Sequence, residues 1–256
     1  MRGAVGIIGR GRIASAVIDG LARRSDLEFD LVAEHSLGDM AGRAAIVVVD
    51  VEPSDLQSAL DRLRPFVAAD LTIVSTSAAL SLSHLRGAVG PGPALFRARA
   101  AQAVDLACGV IVLCAEPGTV AAACVEVGRV LECAGQVEMV PEDVLEAAVA
   151  VTGSSMGFLA LALEGIEDGA VEAGLERDTA RAFVRQTALT TALLLRDHQG
   201  SPADLKDQVA SPGGTTIAGL AELEEQAVRG AYIRALLRAG GREPSPTDGG
   251  RPTVVE

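Results

Sequence analysis

The segment that most constrains this fold is Gly3-Ala-Val-Gly6-Ile-Ile-Gly9-Arg10-Gly11-Arg12-Ile13-Ala14. Its apolar start, bounded by glycine, reads as a buried parallel strand, and the apolar spacing from Ile13 to Leu21 reads as a helix. The turn between them fits G-x-G-x-x-A. Gly9 permits a tight turn, Gly11 lets the backbone approach a pyrophosphate, and Ala14 is small enough for helix and strand to touch. In a strand–turn–helix setting this spacing marks a dinucleotide site. The alternative is a tight turn with no ligand. Arg10 and Arg12 have two roles open to them, assisting phosphates or facing solvent.

The pattern continues as an alternation. Residues 29–33, 44–49, 71–75 and 109–114 read as strands, and residues 53–63 and 119–134 as helices. Alternating strands and helices imply a doubly wound, mainly parallel sheet covered on both faces. Near Pro141 the character changes. Residues 142–152, 157–173, 178–197 and 221–239 carry apolar positions at helical spacing, with no convincing strand among them. Ser201-Pro202 reads as an N-cap followed by proline at the first helical position. The expected organisation is a dinucleotide-binding domain over 1–141 and an all-helical domain over 142–239. The tail, 240–256, has no packing pattern and is expected to be disordered.

Glu34 ends the second strand, about 20 residues beyond the glycine turn. An acidic residue there accepts hydrogen bonds from the adenosine ribose and disfavours a 2′-phosphate, a slight lean toward NADH over NADPH. The alternative is a surface glutamate.

Composition narrows the partners. The net charge is −12, and there are five Phe, one Tyr and no Trp. An acidic chain without stacking platforms is not expected to bind nucleic acid. No apolar run approaches 18 residues, so no membrane span is expected. The first apolar run breaks at once into Gly-Arg-Gly-Arg, unlike a signal peptide. Cys108, Cys114, Cys124 and Cys133 show no C-x-x-C spacing; they read as small core residues in a reducing cytoplasm, and no metal site is expected. His84 and His198 are isolated, and His35 reads as a loop residue.

The second chemical feature is Val209-Ala-Ser211-Pro-Gly213-Gly214-Thr215-Thr216-Ile-Ala218. Pro212 fixes the approach of the chain. Two glycines leave successive N–H groups unobstructed, which makes a concavity for an anion. Ile217 onward reads as a helix start, adding partial positive charge to the same place. The functional reading is a pocket for a small carboxylate; the bland one is a glycine-containing helix cap.

Together the two ends resemble the pyrroline-5-carboxylate reductase family. Residues 205–220, Leu-Lys-Asp-Gln208-Val209-Ala-Ser-Pro-Gly-Gly-Thr-Thr-Ile-Ala-Gly-Leu, read almost as the family signature, with Leu223-Glu224 and Arg229-Gly-Ala231 after it. Glu164, Asp168, Gly174-Leu175 and Gln186-Thr187 also match in the helical part. The resemblance implies a Rossmann domain followed by an all-α dimerisation domain like the C-terminal domain of 6-phosphogluconate dehydrogenase. It implies NADH- or NADPH-dependent reduction of 1-pyrroline-5-carboxylate, or a close cyclic imino acid, to proline. Gln208, Val209, Ser211, Gly213, Gly214 and Thr215 would bind the substrate. Thr216 would serve catalysis by hydrogen-bonding at the ring nitrogen, directly or through water. The cofactor side would comprise Gly6, Gly9, Arg10, Gly11, Arg12, Ile13, Glu34, Val51, Pro53 and Ser75. A homo-oligomer built through the helical domain is expected, because that domain carries more apolar face than about 100 residues can bury alone.

Four departures from the family pattern stand out. Residues 35–43 are too short for the helix that usually follows the second strand. Val51-Glu52-Pro53 stands where the family has Val-Lys-Pro. Arg97-Ala-Arg99-Ala-Ala-Gln-Ala103 replaces Arg-x-Met-Pro-Asn-Thr-Pro. Thr152-Gly153-Ser154-Ser-Met156-Gly-Phe158 replaces Ser-Gly-Ser-Gly-Pro-Ala-Tyr. These leave two other readings: a member with weakened hydride transfer and a regulatory or assembly role, or an imine reductase whose substrate is altered by Arg99 and Met156.

Overall fold

The computed structural model describes residues 3–23, 29–32, 37–78, 80–100, 108–197 and 200–241. They form two compact units, Met1–Gly153 and Ser154–Glu256.

The first unit is a seven-stranded sheet in the order β2-β1-β3-β4-β5-β6-β7. The strands are β1 (Gly3–Gly9), β2 (Phe29–Val32), β3 (Ile46–Asp50), β4 (Thr72–Ser75), β5 (Ala94–Ala100), β6 (Val110–Ala115) and β7 (Gln136–Met139). Every neighbouring pair is parallel except β5 and β6. The helices α1 (Arg12–Arg23), α2 (Leu37–Arg43), α3 (Leu56–Leu63), α4 (Leu82–Val89) and α5 (Ala121–Leu131) cover it. All of β3 is buried. Val47 and Val49 pack with α2, α3 and α4 on one face, and Ile46 and Val48 pack with α1 and α5 on the other. This two-sided burial explains an unbroken run of branched residues where a half-exposed strand would alternate.

Three elements have weak sequence signals. β5 carries two arginines, and Arg97 is nonetheless buried. β7 is a short, polar edge strand, a composition that discourages further pairing. α4 starts at an ordinary Ser81 cap, whose side chain accepts from the His84 N–H. One expectation is corrected: residues 35–43 are long enough for α2, a helix of seven residues. Gly6 admits it, since a Cβ there would lie 2.7 Å from Met40 Cγ.

The second unit is helical: α7 (Ser155–Glu172), α8 (Arg177–Asp197), α9 (Pro202–Val209), α10 (Thr215–Glu225) and α11 (Val228–Ala239). α6 (Leu145–Val149) and a π-helical turn over Ala150–Ser154 precede it. The division falls later than residue 141 because Leu145 is fully buried in the core of the first unit. Ser201 caps α9 as its sequence implies: its hydroxyl accepts from the Asp204 N–H, and the Asp204 carboxylate accepts the Ser201 N–H at 2.6 Å. The single helix expected over 221–239 is two helices. Ala227 takes φ 53°, so the backbone turns left-handed between α10 and α11. Nothing local announces this, since alanine is the best helix former. Residues 242–256 of the tail lie outside the described residues.

Candidate active site

At the carboxyl edge of the sheet, β1 ends in Gly9 with φ 98°. A Cβ there would lie 2.1 Å from the Asp50 carbonyl oxygen, so only glycine fits. The Gly11 N–H donates to that same carbonyl at 3.1 Å. The Asp50 side chain then completes the turn. Its Oδ2 accepts the Ala14 N–H at 2.7 Å, and its Oδ1 accepts the Thr76 hydroxyl at 2.5 Å. Both bonds are charge-assisted, the stronger kind. The first helical bond of α1 runs from the Ser15 N–H to the Gly11 carbonyl. The N–H groups of Arg12 and Ile13 therefore have no acceptor within the helix and remain for an anion.

A cleft of about 480 Å³ opens here. It is lined by the expected Arg10, Gly11, Arg12, Ile13, Val51 and Pro53, together with Asp50, Glu52, Thr76 and Arg99. Two expected cofactor residues belong elsewhere. Gly6 is buried in β1 and admits Met40. Ser75 is fully buried, and its hydroxyl accepts from the Ser77 N–H; its neighbour Thr76 reaches the cleft instead. Glu34 lies outside the described residues, as do His35, His198 and residues 101–107. Asp50 and Thr76 were not anticipated. The available signal was an aspartate closing a valine-rich strand, at the edge where open α/β sheets bind ligands.

Arg97, the one residue kept from the family's Arg-x-Met-Pro-Asn-Thr-Pro motif, serves an internal pair. It donates to Glu142 at 2.9 Å and to Glu146 at 3.4 Å, and its Nε is buried without a partner. Glu142 also accepts the Leu82 N–H at 2.7 Å, so one carboxylate ties β5 to the start of α4. Arg99 donates to Glu146 at 3.2 Å while lining the cleft. Burial pushes the nearby Cys114 thiol up, and the Arg97 charge opposes that rise. Among the described residues, no group of His, Cys, Asp and Glu has the arrangement of a metal site.

In the helical unit, residues 211–216 form the turn their sequence suggests. Gly213 takes φ 68°, and the Gly214 N–H donates to the Ser211 carbonyl at 3.0 Å. Ser211 Oγ occupies the space a side chain at Gly214 would need, 2.3 Å from an added Cβ. Gly214 caps α10, whose first bond runs from the Ala218 N–H to the Gly214 carbonyl. The N–H groups of Thr215, Thr216 and Ile217 thus have no intrahelical partner, and all three residues are exposed. Gln208 and Val209 sit at the end of α9, also exposed. The local geometry is that of an anion-binding helix start flanked by two hydroxyls.

Residues 142–244 match the family model described as pyrroline-5-carboxylate reductase dimerisation. The pyrroline-5-carboxylate reductase of Synechocystis sp. is 31% identical over 259 residues, covering 92% of this chain and 95% of that protein. The chain belongs to the pyrroline-5-carboxylate reductase family. The Glycine max member is also 31% identical, covering 94% of this chain and 89% of its own length. The fold agrees. The Coxiella burnetii pyrroline-5-carboxylate reductase superposes with a TM-score of 0.85 at 21% identity, covering 94% of this chain and 97% of that one. A Plasmodium falciparum pyrroline carboxylate reductase with NADP bound gives 0.75 at 21% identity, covering 93% and 95%. Against the family pattern set out above, this chain keeps the Ser211-Pro-Gly-Gly-Thr-Thr216 loop and carries Glu52 and Arg99 at the glycine-turn cleft.

Proposed function

We propose that this protein reduces 1-pyrroline-5-carboxylate to L-proline with a reduced nicotinamide dinucleotide. The observation that carries this reading is near end-to-end similarity to proteins of that activity, on a chain with both an open glycine-turn cleft and the free helix start at Thr215. We assign the sheet unit, which ends at Gly153, to dinucleotide binding and the helical unit that follows it to substrate and subunit contacts. Gly9 and Gly11 let the backbone approach the diphosphate, and the N–H groups of Arg12 and Ile13 donate to it. A bound dinucleotide supplies the hydride. Ser211, Gly213, Gly214 and Thr215 hold the substrate carboxylate, with Gln208 and Val209 beside them, and the Thr216 hydroxyl orients the ring nitrogen. The hydride forms one C–H bond at the imine carbon as the C=N π pair moves to nitrogen. If the ring nitrogen arrives protonated, the product is the neutral secondary amine and no strong acid is needed. Holding the reactants in register is then the main task of the protein. Glu34 at the adenosine ribose favours NADH over NADPH.

The helical unit supports a homodimer. Among the described residues of α7–α11, only Ala180 and Val184 are buried hydrophobics, while Leu159, Leu161, Ile166, Phe183 and Ile233 are more than half exposed. Residues Glu142–Glu172 make a helical stretch long and apolar enough to cross a membrane, and most of its apolar part is not buried within this chain. The same residues lie within the dimerisation match, and we assign their apolar face to a second copy of the chain. We assign a reducing cytoplasm as the working compartment, the reading that the cysteine spacing suggests.

The test is to mix purified protein with NADH or NADPH and pyrroline-5-carboxylate and follow nicotinamide absorbance. Turnover, better with NADH, is expected. No turnover and no change in cofactor fluorescence would refute the reading. Light scattering should give a dimer or a multiple of it; a monodisperse monomer contradicts the assignment of the apolar face.

A further inference from the structure

We propose that Asp50 sets the cofactor affinity of the nucleotide cleft by two opposed effects of one carboxylate. It holds the phosphate-binding turn in shape, and it places a negative charge where the diphosphate must sit. The inference rests on the cleft being the dinucleotide site.

The first effect follows from its bonds. The Asp50 carbonyl takes the Gly11 N–H, Oδ2 takes the Ala14 N–H, and Oδ1 takes the Thr76 hydroxyl. One residue at the end of β3 thereby ties the turn after β1 and the start of α1 to the segment leaving β4. Asp50 is buried, so these bonds are shielded from competing water. The second effect follows from position. Asp50 lines the same cleft as Gly11, Arg12 and Ile13. Its carboxylate already occupies one donor at the start of α1, the Ala14 N–H, and so offsets part of the positive field an incoming phosphate would use. Exposed Glu52 adds a second negative charge to the cleft, against Arg10 and Arg12.

An amide separates the two effects. Asp50→Asn keeps an oxygen for the Ala14 N–H, and its NH2 can donate to the Thr76 hydroxyl, while the charge is gone. Asp50→Ala loses both bonds. The Kd for NADH is measured by cofactor fluorescence on the full chain without imine, at low and high salt. Asp50→Asn is expected to bind NADH about fivefold more tightly at low salt, an advantage that shrinks at high salt. Asp50→Ala is expected to bind about tenfold more weakly than wild type at both. Thr76→Val, which removes one of the two side-chain bonds, should weaken binding by less and serves if Asp50→Ala does not fold. The KM for the imine should change little in the variants. Equal weakening by Asn and Ala would reduce Asp50 to a structural residue and overturn the proposal. Ala binding as tightly as Asn would remove the positioning effect and overturn it too. If the wild type binds neither dinucleotide, the functional reading itself fails.

Discussion

Replacing Gly11 with alanine tests the fit of the nucleotide turn with a single methyl group. The new Cβ would stand 2.2 Å from Asp50 Oδ1, 2.3 Å from Cγ and 2.4 Å from Oδ2. Each distance is about 1 Å or more inside ordinary van der Waals contact. Aspartate is too short to swing aside, and its oxygens are held by the Ala14 N–H at 2.7 Å and the Thr76 hydroxyl at 2.5 Å. Relief requires either both bonds to break or the turn to move. A hydrogen bond to a charged group contributes about 1.5–3 kcal/mol, so displacing the carboxylate forfeits about 3–6 kcal/mol. That loss divides between stability and cofactor affinity. NADH titrations should show the Kd raised by about a hundredfold, and thermal unfolding should show the Tm lowered by roughly 6 °C. Gly128→Ala is the control. It lies in α5, its added Cβ meets nothing within 4 Å, and it should gain about 0.5–1 kcal/mol without changing the Kd. Wild-type Kd and Tm for Gly11→Ala would refute the assignment of a tight, Asp50-braced turn.

Three further outcomes are expected. Thr216→Ala should lower kcat by about tenfold through the lost hydroxyl at the ring nitrogen, and an unchanged kcat in steady-state assays would remove Thr216 from the mechanism. Arg97→Met should destabilise the chain by only about 1 kcal/mol in urea unfolding, because the carboxylates left behind, Glu142 and Glu146, reach solvent while the buried cation is removed; a loss above about 3 kcal/mol would contradict that account. The Arg86 guanidinium, by its side-chain hydrogen bond, holds Glu116 below the usual carboxylate range. The folded-state value is depressed, so this stabilisation is present above the ordinary range and lost as pH falls through the folded value. Glu116→Gln should therefore lower stability at neutral pH, by a margin that shrinks as the pH falls below the ordinary carboxylate range, and a margin independent of pH would refute the linkage.

Much of the site was legible because it is built locally. The spacing of Gly9, Gly11 and Ala14 is written in six consecutive residues, although the partner that makes the glycines necessary, Asp50, is distant. Ser211-Pro-Gly-Gly-Thr-Thr makes its own helix start, with Ser211 Oγ filling the space beside Gly214. The Ser201 cap is local as well. What escaped notice depends on distant partners. Arg97 reads only as the first residue of an altered motif until Glu142 is placed beside it, 45 positions away. Ser75 and Thr76 are adjacent hydroxyls, and only the point where β4 ends decides that Ser75 is buried in the sheet and Thr76, the first residue beyond it, reaches the cleft.

By itself the sequence determined the alternation that makes a parallel sheet, the change to helices near Pro141, and the two glycine turns, since each is a property of a short stretch of backbone. Only the tertiary structure decided that Asp50 braces the first of those turns. The Ala14 N–H and the Thr76 hydroxyl reach it from 36 and 26 positions away, through strand pairing that no local pattern records.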